Sequence, residues 1–186
     1  MKPRSYSGLF AVMLTCSFLA LASCAGSQNT PPTVAANSPL KAWVGMDLQD
    51  LRAVYPDIHP DPAMPDRYQR ETREFNLNGT WTYSFTGNKL RWFIFNAYQG
   101  IVNKPNFNSC LVATEDMIES YQQILGQPVR VRAGIHDFND PALKPHNGYL
   151  VQQVSWNSPL GTVKVDFSFL GENKVYQFLV SVQVSG

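Results

Sequence analysis

Apolar positions recur along this chain with two different spacings. Leu48, Leu51 and Tyr55 fall on one side of a short helix that Pro56 stops. Asp47 stands where an N-cap belongs, and Asp50 follows three residues later like the second half of a capping box. A second helical stripe is formed by Met117, Ile118, Tyr121 and Leu125, with Thr114 as its expected cap and Gly126 and Pro128 at its end. Elsewhere the period is two. Val163, Val165, Phe167 and Phe169 alternate with Thr162, Lys164, Asp166 and Ser168, which predicts a strand with one face in a core. In the last strand Tyr176, Phe178, Val180, Val182 and Val184 point inward, while Gln177, Leu179, Ser181 and Gln183 point outward.

The strand segments align in pairs. Residues 75–80 match 154–162 after an insertion at 158–160. Residues 81–85 match 163–167, and 91–98 match 176–183. Gly87-Asn88 suits a two-residue hairpin. The chain therefore reads as built twice, over 42–109 and 110–186, each unit being one helix and about three strands, with 129–132 as a further strand candidate. The expected fold class is α+β: two tandem helix-plus-antiparallel-meander repeats, their helices packed on one face of a continuous or abutting sheet. Transferring the inward phase of the second unit to the first sends Phe93, Phe95 and Ala97 into the core. Trp92, Ile94, Asn96 and Tyr98 then come out on the open face. Trp92, Ile94 and Tyr98, with Leu179 from the sister strand, form the candidate protein-binding set. The alternative is that tether, loop or a dimer partner covers this face, and a one-residue slip in register exchanges the two faces.

The run Gly45-Met46-Asp47-Leu48-Gln49-Asp50-Leu51 resembles a helix start, Gly-Met-Thr-x-x-(Glu/Gln)-Val, found in two families. These are the β-lactamase inhibitor proteins and the small outer-membrane-assembly lipoproteins of the SmpA/OmlA type. Asp47 replaces the usual Thr, and the second unit keeps Thr114 but lacks the Gly-Met pair. The resemblance implies the tandem fold and a role in binding proteins, which the inhibitors do through their sheet surface.

The N-terminus carries a separate signal. Lys2 and Arg4 precede an apolar run over 8–20, shorter than the ~20 residues needed to span a bilayer. Leu21-Ala22-Ser23-Cys24 follows and resembles the lipobox of bacterial lipoproteins. That resemblance implies a signal peptide over 1–23 and a mature chain beginning at a diacylglyceryl-modified and usually N-acylated Cys24. Ala25, rather than Asp, implies sorting to the periplasmic face of the outer membrane. Residues 24–41 are expected as the lipidated Cys and a charge-free flexible tether. The alternative is an ordinary cleaved signal with a chance Cys.

Charge and cysteine content narrow the role. Removing 1–23 takes away two of 15 basic residues and none of 14 acidic ones, leaving 13 against 14 and a net charge of −1. That is no footprint for nucleic acid. With Cys16 removed and Cys24 lipidated, only Cys110 remains, so no internal disulfide can form. Cys110 is expected just before a helix as a small buried hydrophobe. His59 lies between Asp57 and Asp61, but four prolines over 56–65 mark an exposed loop. His136-Asp137 and His146 lie in another loop. There is no nucleophile elbow, phosphate-cradling loop or His-Glu-x-x-His motif. No catalytic or metal site and no cofactor are expected. The expected function is a lipid-anchored, non-catalytic binding module of the envelope, as an assembly or maintenance factor or an enzyme inhibitor, with an envelope protein as partner. The alternatives are a hydrolase or metal protein using His59, His136, His146 or Cys110, and a structural lipoprotein that self-associates through the strand bearing Trp92 and Ile94.

Overall fold

The computed structural model describes residues 40–132, 135, 137–141, 149–172 and 175–186. Cys24, the tether up to residue 39, His136 and His146 lie outside them. Long strands, most of them with alternating side chains, join into one sheet. In chain order the elements are α1 (Leu48–Val54), β1 (His59–Asp61), β2 (Met64–Glu74), β3 (Leu77–Thr86), β4 (Lys89–Gln99), α2 (Lys104–Leu125), β5 (Arg130–Arg132), β6 (Tyr149–Ser158), β7 (Gly161–Glu172) and β8 (Val175–Ser185). The sheet is antiparallel in the order β1-β2-β3-β4-β8-β7-β6-β5.

This corrects the expected α+β class. Among the described residues the chain is a mostly-β fold, one eight-stranded sheet with two helices, and not two helix-plus-meander repeats. The finding that overturns the repeat reading is the β4–β8 ladder, which runs from Trp92↔Ser185 to Gln99↔Phe178. Through it the two halves share one set of backbone bonds and one hydrophobic core. The helices are also unequal, 7 residues against 22. α2 lies across β6, β7 and β8.

Strands β1 and β2 were not visible in the apolar pattern. β2 carries Asp66, Arg67, Arg70, Glu71, Arg73 and Glu74, so neither of its faces shows a clean alternation. β1 contains Pro60, which an edge strand tolerates because its outward N–H is not needed.

Helix ends differ from the expected caps. Asp47 occupies the N-cap of α1 but makes no capping bond. Its carboxylate instead accepts from Lys89 Nζ at 2.9 Å and Asn88 Nδ2 at 3.2 Å, tying the helix start to the β3–β4 turn. α2 begins earlier than expected, capped by Asn103, whose side chain accepts from Asn106 N at 2.9 Å. Thr114 therefore lies inside the helix, buried, its hydroxyl donating to Cys110 O at 2.7 Å. Cys110 sits inside the helix as well. At the other end Leu40, expected in the tether, is 2 % exposed and packs into the core.

Phe93, Phe95, Ala97, Val180, Val182 and Val184 meet beneath the helical side. A bulge makes this possible along the whole of β4. Ser84 faces Trp92 but Phe85 faces Leu90, so Arg91 is an extra residue and both Leu90 and Phe93 reach the core. At the β6–β7 turn Gly161 has φ +121°, and a Cβ there would lie 2.5 Å from Ser185 O. Gly161→Ala is therefore expected to lower stability to denaturant by roughly 2 kcal/mol or more, whereas Gly100→Ala, with open space around it, changes little. Equal effects from the two would show that this close approach does not matter.

Candidate functional site on the open sheet face

The face of the sheet turned away from α2 is assembled from the alternate residues of each strand. Register places Arg67, Ser84, Trp92, Ser185 and Thr162 in one row across it. The next row runs Gln69, Thr82, Ile94, Gln183, Lys164, Ser155 and Arg130. Hydroxyls and amides thus surround a short apolar ridge, Trp92 and Ile94, both half-buried. The Arg67 guanidinium lies over the Trp92 ring, 5.2 Å from its centroid, across the small Ser84 side chain. Further along, Tyr98 stands opposite half-buried Leu179 and is 52 % exposed. Asn96 and Ser181 separate the two apolar pairs. The four residues therefore share a face but make two foci, with Trp92 and Tyr98 about 20 Å apart along one strand. Asp166 is buried among its partners, Lys164 Nζ at 3.0 Å and Gln153 Nε2 at 2.7 Å.

The other face contains a polar cluster that the sequence pattern did not reveal. Arg70 projects from β2 to the helical side, and its guanidinium lies over the Tyr55 ring at 4.6 Å. Its Nη2 donates to Thr72 Oγ1 at 3.1 Å and lies 3.9 Å from Glu74 Oε1. Its Nε lies 3.2 Å from the Asp57 carboxylate without hydrogen-bond alignment, which makes that contact an ion pair. Trp81 Nε1 lies 3.4 Å from Glu74 Oε1. Burial raises the phenol pKa values of Tyr55, Tyr83 and Tyr121, so all three stay protonated and neutral at physiological pH. A residue type that ordinarily marks a surface strand here holds a neutral aromatic layer together. No apolar period could have shown it.

The remaining candidates among the described residues do not converge. His59 is exposed on β1 with its Nδ1 3.4 Å from Pro60 O. Asp61 accepts from Gln69 Nε2 and Ala63 N, each at 2.9 Å, and Asp57 faces Arg70. Among the described residues no three His, Cys, Asp or Glu side chains are grouped so as to hold a metal. Cys110 is fully buried, and burial pushes its thiol up to about 12. Comparison with protein-family models, curated proteins and solved structures finds no match to the chain.

Arg70→Ala is expected to destabilise the fold by about 2–4 kcal/mol, because it strands a partly buried carboxylate beside buried phenols. Asp57→Asn, at a side chain 59 % exposed, should cost under ~1 kcal/mol. Similar losses from both would mean that the Asp57 ion pair, and not the guanidinium's interior contacts, is the stabilising element. For Cys110, iodoacetamide at pH 8 should alkylate the native thiol on the order of 100-fold more slowly than the unfolded one. Equal rates would show that the helix opens readily at that point.

Proposed function

We propose that this chain is a lipid-anchored, non-catalytic binding module of the bacterial envelope. It is held through Cys24 at the periplasmic face of the outer membrane and engages an envelope protein, as an assembly or maintenance factor or as an inhibitor. The observation that carries the reading is the open sheet face, on which Trp92, Ile94, Tyr98 and Leu179 sit among hydroxyl and amide side chains. Tryptophan and tyrosine supply large contact area for little conformational entropy, and polar neighbours form a rim that excludes water around them. The Arg67 guanidinium over Trp92 restricts that ring before a partner arrives, which reduces the ordering cost of association. The anchor rests on the lipobox resemblance of Leu21-Ala22-Ser23-Cys24. Two or more acyl chains on one residue hold a protein on a bilayer stably, where a single chain does so only marginally.

A photo-crosslinking residue placed at Thr82 or Gln183, which flank Ile94 on either side, tests the face in intact envelopes. The expected result is an adduct of one defined mass from both positions and none from exposed Glu119 on α2. Trp92→Ala/Ile94→Ser should abolish it while leaving the fold intact. Cys24→Ser should move the chain from the membrane to the soluble fraction. Adducts made only of this chain would favour self-association through β4. No adduct at either position would remove the open face as a binding site.

A further inference from the structure

A second, chemically different site lies on the helical side. The two-residue turn between β2 and β3 is made by Phe75 and Asn76, at φ +47° and +64°. A left-handed conformation costs an L-residue with a Cβ roughly 1–2 kcal/mol, and turns of this kind favour Asn or Gly. The β3–β4 turn follows that rule with Gly87 and Asn88, at φ +54° and +67°. The β2–β3 turn instead holds a bulky ring in the strained position. The ring is half-buried against the core and forms one wall of a solvent-open cavity of about 320 Å³, with α2 as the opposite wall. The helix contributes Asn108, Ser109, Val112, Ala113 and Asp116.

The lining decides what such a cavity can take. Phe75, Val112 and Ala113 supply an apolar wall, and around it Asn76, Asn108 and Ser109 supply oxygen acceptors together with the amide donors of the two asparagines. The Ser109 hydroxyl donates to Pro105 O at 3.0 Å, which turns its lone pairs to the outside. Asp116 is the sole charge in the lining, and it has no ion pair or hydrogen bond among the described residues. Among the described residues no Lys, Arg or His borders the cavity. The pocket begins beyond the first turn of α2, past the reach of the positive field at that helix end. An anion would meet the exposed Asp116 carboxylate with no cation among the described lining residues to offset it. A donor-rich cation on an apolar stem satisfies the carboxylate, the acceptors and the ring face together.

We infer that the Phe75–α2 cavity is a binding site for an alkylammonium or alkylguanidinium group, its charge on Asp116 and its stem against Phe75 and Val112. The same chemistry is offered by a lysine or arginine side chain of a protein and by a free diamine. The site is separate from the open face and does not depend on the function proposed for that face.

Titration of the full chain in detergent with n-butylammonium and n-butylguanidinium, followed by NMR at the side-chain amides of Asn76 and Asn108, tests it. Saturable shifts are expected with both cations and none with butyrate. Asp116→Asn should weaken binding about five-fold or more, while Glu119→Gln, exposed on the same helix outside the cavity, leaves it unchanged. Phe75→Asn relieves the strained turn, so it should keep the fold and still weaken binding. A purely structural role for Phe75 would move stability alone. Tighter binding of a capped lysine peptide than of putrescine identifies a protein side chain as the ligand, and the reverse order identifies a free amine. Absence of saturation, or equal binding of butyrate, or an unaltered affinity in Asp116→Asn, overturns the inference.

Discussion

Everything in this fold depends on the pairing of β4 with β8. The two strands meet antiparallel at the centre of the sheet over eight register pairs. That ladder sets Phe93, Phe95 and Ala97 beside Val184, Val182 and Val180 on one face. On the other face it sets Trp92, Ile94 and Tyr98 beside Ser185, Gln183 and Leu179. Side chains in a strand alternate strictly, so one register decides both the core and the exposed ridge. The bulge at Arg91 keeps that phase while bringing Leu90 to the core. Pairing strands so distant in sequence is costly in chain entropy, and the reward is a single shared core in place of two small ones.

Unequal helices then give the two halves different chemistry on the covered side. α2 provides six turns over β6, β7 and β8, and its buried Phe107, Met117 and Tyr121 complete an apolar layer there. α1 is too short to do the same over the first strands. Aromatic rings from the sheet itself, Trp81 and Tyr83, fill that side with Tyr55, and Arg70 joins them by charge and by its contact with the Tyr55 ring. This half-buried cation is held by a hydrogen bond to Thr72 and by the charges of Glu74 and Asp57. The first half is thus stabilised more by directed contacts and the second more by packed volume.

Two surfaces of contrasting character result. The open face is broad, hydroxyl-rich and marked by a few large side chains, which suits another folded surface. The cavity beside Phe75 is small and open, with polar side chains and one carboxylate around an aromatic wall. They lie on opposite sides of the sheet, so occupancy of one need not block the other. Of the nucleophile and imidazole candidates, the two described ones, Cys110 and His59, belong to neither. Cys110 is sealed within α2, and His59 lies exposed at the β1 edge.

The alternation of Val163 to Phe169 and of Phe178 to Val184 was enough to establish long half-buried strands and their inward phase, because period-two burial is written directly in residue type. The Gly87-Asn88 turn was legible for a similar local reason, since few residues accept positive φ. The near-neutral charge is likewise a property of the sequence alone, and among the described residues Cys110 is a free, buried thiol. Where the local pattern was weak, tertiary context decided. β2 is a strand because β1 and β3 satisfy its backbone, although its charges hide the period. Asp47 became a salt-bridge partner of Lys89 and not a cap, because the β3–β4 turn lies beside it. α2 runs through Cys110 and Thr114, whose propensities suggested a boundary, because their small side chains fit against the sheet. The β4–β8 junction that turned two expected units into one mostly-β sheet was fixed by partners some ninety residues apart, and no window of the sequence contains both.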